Sequence, residues 1–207
     1  MKYYELLQQV KPNSFPGLAL KNKKQTFDEC LTSVKENGLI LQYIKNQSRA
    51  ICLAAVKENG HALEYVKNQS IPICLAAVKQ NGFALQHVKN QTTEINIAAV
   101  KQNGYSLQYV KNQTEEICLI AIDYGSCVLK YVKDQTPTMC MVAVKQNGYS
   151  LQYVKNQTEE LCIEAVNQNG LALRYVKKQT PKICLTAITQ NDKALKYVDK
   201  SIFDEKS

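Results

Sequence analysis

Eight cysteines, two histidines and a recurring lysine are the residues of this 207-residue chain whose chemistry could be put to use. Cysteine in that number suggests a disulfide framework or a metal cluster, and spacing decides between them and a plainer role. Seven of the eight, Cys30, Cys52, Cys74, Cys118, Cys140, Cys162 and Cys184, lie at multiples of 22 residues from one another, and Asn96 fills the missing place. Equivalent side chains on successive packed helices are about 8–10 Å apart. A disulfide needs Cα atoms within about 7 Å, and zinc needs sulfurs at about 2.3 Å from a shared ion. The expectation is seven buried, unpaired thiols with no structural metal and no cofactor. Cys127 stands outside the series and is expected to be partly exposed.

His61 and His87 occupy different positions of the same rhythm, and His87 stands where neighbouring repeats carry Tyr, so it reads as a packed aromatic. No phosphate loop, nucleophile elbow or H-E-x-x-H is present. A catalytic centre needs one cluster unlike the rest of the chain, and no stretch supplies it. The expectation is a protein that is not an enzyme, with no catalytic and no metal-ligating residue.

Lysine keeps the same step. Lys45, Lys67, Lys89, Lys111, Lys133, Lys155 and Lys177 form one series and Lys35, Lys57, Lys79, Lys101 and Lys145 another, together 12 of the 26 Lys and Arg in a chain of net charge +8. Each series becomes a ladder when the repeats stack. One reading is that Lys near helix C-termini complements the helix dipole. The other makes the first series, Lys45 to Lys177, binding residues for an anionic polymer, with neighbouring aromatics as stacking platforms for single-stranded nucleic acid.

The elements that position these residues follow from the repeat. Residues 99–116 recur identically at 143–160, and a Ser or Thr returns every 22 residues at Thr26, Ser48, Ser70, Thr92, Thr114, Thr136, Thr158 and Thr180. With that Ser or Thr as position zero, the unit reads T-x-E-I-C-L-A-A-V-K-Q-N-G-Y-A-L-Q-Y-V-K-N-Q. The hydroxyl is an N-cap, and Glu94, Glu115, Glu116, Glu159 and Glu160 fall in the first turn, where the dipole favours anions. Pro137 and Pro181 suit the first helical position. Apolar residues at +3, +4, +5, +7 and +8 predict a helix with a broad buried face. Asn-Gly at +11 and +12 predicts its end, the glycine taking the left-handed conformation. A second, shorter helix carries Leu at +15 in all eight units. The spacing is wrong for a leucine-rich repeat, and the flanks of Asn-Gly lack the alternation of a β-hairpin.

A 22-residue helix pair cannot bury its own apolar face, so the predicted fold is all-α: an α-solenoid of eight stacked helix-turn-helix repeats with short terminal caps. The boundaries are 1–25 for an N-terminal cap segment, with a helix over residues 3–10; 26–47, 48–69, 70–91, 92–113, 114–135, 136–157, 158–179 and 180–201 for the repeats; and 202–207 for a C-terminal tail. Ile202 and Phe203 are expected to cover part of the last repeat.

The run Leu75-Ala76-Ala77-Val78-Lys79-Gln80-Asn81-Gly82-Phe83-Ala84-Leu85 resembles the core motif of a domain-of-unknown-function family of short tandem helical repeats. That family is abundant in giant DNA viruses of amoebae, the mimivirus-like group, and in some protists. The resemblance extends over all eight units; it implies the fold and, if the source is viral, the host cytoplasm. It carries over no catalytic or ligand residue.

No apolar run reaches the length of a membrane-spanning helix, and residues 1–10 lack the apolar core of a secretory signal. Five N-Q-S/T sequons, at Asn46, Asn68, Asn90, Asn112 and Asn156, would collect glycans in a secreted protein. With the thiols, they point to a reducing, intracellular compartment. The resulting expectation is a non-enzymatic repeat scaffold with an unidentified protein partner, no membrane and no structural metal; nucleic-acid binding through the lysine ladders is the alternative.

Overall fold

A computed structural model describes residues 25–203; the expected cap helix at residues 3–10 and the tail beyond residue 203 lie outside them. The chain forms two compact units, Met1–Tyr109 and Val110–Ser207. In the first, α1 (Phe27–Glu36), α2 (Arg49–Glu58), α3 (Ile71–Gln80) and α4 (Thr93–Gln102) alternate with the 3₁₀ helices Gly38–Tyr43, Gly60–Tyr65, Gly82–His87 and Gly104–Tyr109. In the second, α5 (Glu115–Tyr124), α6 (Pro137–Gln146), α7 (Glu159–Gln168) and α8 (Pro181–Gln190) alternate with Ser126–Tyr131, Gly148–Tyr153, Gly170–Tyr175 and Asp192–Tyr197. Within each unit every α-helix packs on the next and every 3₁₀ helix on the next, as in an α-solenoid. The shorter second helix foreseen from the sequence is therefore a 3₁₀ helix of six residues in every repeat.

Capping follows the expected chemistry with one exception. The Ser or Thr hydroxyl accepts the N–H three residues on, as in Thr114 from Ile117 and Thr158 from Leu161, and Thr26 and Glu29 form a reciprocal capping box. Ser70 precedes α3 without such a bond, and Pro72 follows in the first turn. The core consists of +3, +4, +7 and +8 on the α-helix, with +14, +15 and +18 beyond it; Leu41, Leu63, Leu85, Leu107, Leu129, Leu151 and Leu173 are wholly buried. Position +5 departs from the expected buried face, because Leu53, Leu75, Ile97, Leu119, Met141 and Ile163 are only half-buried. The α-helix lies against 3₁₀ helices on one side only, which leaves +5 on its outer edge.

The expected left-handed glycine is absent: no described glycine has a positive φ. Asn does the turning instead. At Asn59, φ is −141° and ψ 112°; its N–H closes α2 on the Ala55 carbonyl and its Oδ1 accepts from His61 N–H to open the next 3₁₀ helix. Asn81, Asn147, Asn169 and Asn191 do the same for Phe83, Tyr149, Leu171 and Lys193. Glycine follows for a steric reason. A Cβ at Gly38, Gly60, Gly148 or Gly170 would lie 2.3 to 2.6 Å from the +7 carbonyl oxygen of the next repeat. The glycine N–H uses that proximity, donating to the +10 side chain of the next repeat: Gly60 to Gln80 Oε1 at 2.7 Å, Gly148 to Gln168 Oε1 at 2.7 Å, and Gly38 to Glu58 Oε2.

The fifth and eighth repeats show what happens without this glycine. Ser126 carries a Cβ at +12, and α5 and α6 pack less closely than the other α-helix neighbours of their unit. Asp192 occupies +12 of the eighth repeat, and it, Lys193, Lys196 and Asp199 are exposed. Asp199 accepts from the N–H and the hydroxyl of Ser201, which hold its carboxyl below the usual range. Among the described residues, Ile202 lies half-buried in the short 3₁₀ turn Lys200–Ile202, whereas Leu195 is 63 % exposed and Phe203 48 %.

Candidate interaction surfaces

A glutamine that precedes each cap ties the repeats together. Gln157 Nε2 donates to the Tyr175 carbonyl of the next 3₁₀ helix at 2.9 Å and to the Leu151 carbonyl of its own at 3.2 Å, while its Oε1 accepts from Lys177 N–H at 2.9 Å. Gln47 and Gln135 repeat the pattern. The amide thus ends each 3₁₀ helix by satisfying carbonyl and N–H groups that its short ladder leaves open. Sequence alone assigns this residue no role. The signal was its presence before all eight caps: Gln25, Gln47, Gln69, Gln91, Gln113, Gln135, Gln157 and Gln179.

The series cysteines lie beneath these amides. Cys140 and Cys162 point their Sγ at Gln135 and Gln157 Oε1, both at 3.7 Å, and Cys184 at Gln179 Oε1 at 3.2 Å. All eight cysteines are unpaired, the seven of the series buried and Cys127 partly exposed. Burial pushes the thiols of Cys52, Cys74 and Cys140 up. Cys118 is raised to about 11 by burial and then by the charges of Asp134 and Glu115. Such thiols are poor nucleophiles. Among the described residues no group of three or more His, Cys, Asp or Glu is placed to hold a metal ion.

The two lysine series have different surroundings. At +19 the ammonium reaches back one repeat: Lys67 Nζ donates to the Lys45 carbonyl at 2.8 Å, Lys89 to Lys67 at 3.2 Å, Lys133 to Lys111 at 2.9 Å and Lys177 to Lys155 at 2.8 Å. Lys133, Lys155 and Lys177 also reach the carbonyls of Val110, Val132 and Val154. The predicted binding residues Lys45 to Lys177 are thus brought into one row per unit, where most of the ammoniums bridge repeats. At +9, Lys35, Lys57, Lys79, Lys101 and Lys145 lie exposed in the last turn of their α-helices, and their ammoniums make no hydrogen bond or ion pair among the described residues.

The rows line separate grooves. Lys45 and Lys67, with Ser48, Arg49 and Ser70, border a cleft of about 650 Å³ at the start of α2 and α3. Lys133 and Lys155 border one of about 500 Å³ that also holds Asp134 and Glu160. Lys35 and Lys57 border a third, of about 540 Å³, on the outer faces of α1 and α2. A ten-residue helix, about 15 Å long, separates the two rows. The aromatics form a further register. The +13 ring of one repeat meets the +17 ring of the next edge to face: His61 with His87 at 5.7 Å, Phe83 with Tyr109 at 6.1 Å and Tyr149 with Tyr175 at 5.9 Å. His87 is indeed a packed aromatic, and these rings are engaged with one another.

Repeats of one α-helix and one 3₁₀ helix, joined by side-chain-to-backbone bonds at a constant step, define a tandem helical-repeat protein. Residues 28–69, 72–114 and 158–203 match the family described as Domain of unknown function (DUF4116), and the chain belongs to that family. No curated protein and no solved structure matches the chain. Among the described residues no helix is long and apolar enough to cross a membrane.

Proposed function

We propose that the chain is a non-enzymatic scaffold that binds a protein partner along the exposed faces of its repeats, within a reducing intracellular compartment. The observation that carries this reading is a division of labour within the repeat. The residues that join repeats, Gln before the cap, Asn at +11 and Leu at +15, scarcely vary, whereas the exposed +1 and +2 positions and the mostly half-buried +6 position change from repeat to repeat. Such an array presents a long, varied surface on a uniform frame. Buried thiols without disulfide partners support the reducing compartment. A source among giant viruses of amoebae, with the host cytoplasm as the site of action, rests on the motif resemblance alone. Nucleic-acid binding through both lysine ladders is the weaker reading, because the +19 ammoniums are directed at carbonyls and the two rows lie apart.

Selection of a displayed library of protein fragments against the full chain tests the proposal. It predicts enriched peptides that compete for the chain. At about 0.15 M salt, single-stranded DNA and RNA should bind no more tightly than any protein of this charge allows. No enriched peptide, together with sub-micromolar and sequence-dependent nucleic-acid binding at that salt, would overturn it.

A further inference from the structure

Within the first unit the outer faces of α1 to α4 carry two unbroken rows. The half-buried Leu31, Leu53, Leu75 and Ile97 form one at +5, and the exposed Lys35, Lys57, Lys79 and Lys101 form the other at +9. The two positions are i and i+4 on one helix, so each lysine stands one turn beyond its aliphatic neighbour on the same face. Small residues at +6, Ala54, Ala76 and Ala98, leave space beside the aliphatic row. The cleft between α1 and α2 is floored by Leu31, Ala50, Leu53 and Ala54 and edged by Lys35, Lys57 and Glu58, whose carboxylate accepts from Gly38 N–H.

The second unit provides an internal contrast. It keeps the aliphatic row, as Leu119, Met141, Ile163 and Leu185, but its +9 positions are Asp123, Lys145, Asn167 and Thr189, and its +6 positions are Ile120, Val142, Glu164 and Thr186. An unbroken lysine row and alanines at +6 therefore coincide on the first unit alone.

We propose that this outer face of the first unit docks an acidic amphipathic helix of a partner protein. The inference rests on the scaffold reading and names its surface and the chemistry of its partner. Four helices spaced about 8–10 Å apart extend the row over about 25–30 Å, the length of a helix of about 17–20 residues. Along such a helix, residues i and i+7 lie about 10.5 Å apart on one face, close to the step between successive aliphatic residues. Apolar side chains of the partner lie along the aliphatic row and its alanine-floored cleft, and its flanking carboxylates face the four lysines, whose ammoniums make no ion pair among the described residues. Aliphatic side chains give a nucleic-acid base no stacking surface, which favours a peptide over a single strand.

The test uses the full chain and a fluorescent 20-residue helical peptide with Leu on an i, i+3, i+4, i+7 face and Glu elsewhere. Fluorescence anisotropy should show saturable binding that weakens at least tenfold in the double variant Lys57→Glu, Lys79→Glu. Lys145→Glu in the second unit should leave binding unchanged. The charge reversals are at exposed positions, and an unchanged circular dichroism melt will show that folding is intact. A Leu75→Gln variant should also weaken binding, and a peptide of the same composition with its apolar face scrambled should bind at least tenfold less. No binding, equal binding by the scrambled peptide, insensitivity to the Lys57 and Lys79 reversals, or tighter binding of single-stranded DNA at this face would overturn the inference. If library-selected peptides bind but ignore these reversals, the scaffold reading stands and this surface is wrong.

Discussion

Alanine placed at two glycines of the second unit should have opposite effects. A Cβ at Gly148 would lie 2.4 Å from the Ala165 carbonyl oxygen and 2.9 Å from Gln168 Oε1, about 1 Å inside ordinary contact with a backbone atom that cannot rotate away. Relief requires α7 to shift, which also stretches the 2.7 Å bond from Gly148 N–H to Gln168. Overpacking of this kind costs about 1–3 kcal/mol and the hydrogen bond about 1 kcal/mol more, so Gly148→Ala should destabilise by about 2–4 kcal/mol. Gly125 has φ 175°, extended backbone that any residue adopts, and a Cβ there meets nothing within 4 Å. Gly125→Ala should stabilise by about 0.4–1 kcal/mol, through the smaller entropy of its unfolded chain. Urea unfolding, read from the midpoint at constant slope, gives both signs. Gly148→Asn separates the steric account from a left-handed one, because asparagine tolerates positive φ but still carries a Cβ. If Gly148→Asn were well tolerated, or if both alanines destabilised alike, the close approach of repeats would not be the reason for the glycine.

Gln157→Ala removes the bonds to Tyr175, Lys177 and Leu151 together. It should cost about 2–4 kcal/mol, since carbonyl and N–H groups are left open, and hydrogen exchange should rise most at Lys177. With its pKa at about 11, Cys118 should be about one part in a thousand thiolate at pH 8, against about a quarter for a free thiol. Alkylation followed by mass spectrometry should find it at least 100-fold slower than in denatured chain, with Cys127 labelled first. Because the folded chain holds this proton more tightly than the unfolded one, stability should fall as pH rises from about 8.5 towards 11.

Much of the fold was legible because the chain repeats its own experiment. Seven thiols at one register excluded disulfides on spacing alone, and the Ser or Thr of each cap fixed where the α-helices begin. What escaped were features set by the contact between repeats. The glycine's role depends on a carbonyl 17 residues further on, and a sequence motif interpreted locally supplied the familiar left-handed turn instead. Asparagine, beside it, carries the conformational work through its Oδ1, a bond that local reading gives to Asn in turns generally but that Asn-Gly obscured. The half-burial of +5 was hidden for a similar reason: an apolar residue at helical spacing reads as core until the width of the partner face is known, and a six-residue 3₁₀ helix is narrow.

The lysines show how far register alone can mislead about function. Two series with the same residue, the same period and neighbouring helix ends look equivalent as ladders. Their difference is set by what each ammonium can reach. At +19 the chain has just left a 3₁₀ helix, and the preceding repeat presents its own +19 carbonyl within reach, so Lys67 and Lys177 spend their donors on backbone. At +9 the side chain leaves the last turn of an α-helix, and its ammonium makes no hydrogen bond or ion pair among the described residues. A charge with no partner among the described residues is open to another molecule. The acidic partner proposed above is therefore assigned to the series with fewer members, and to the unit where that series is unbroken.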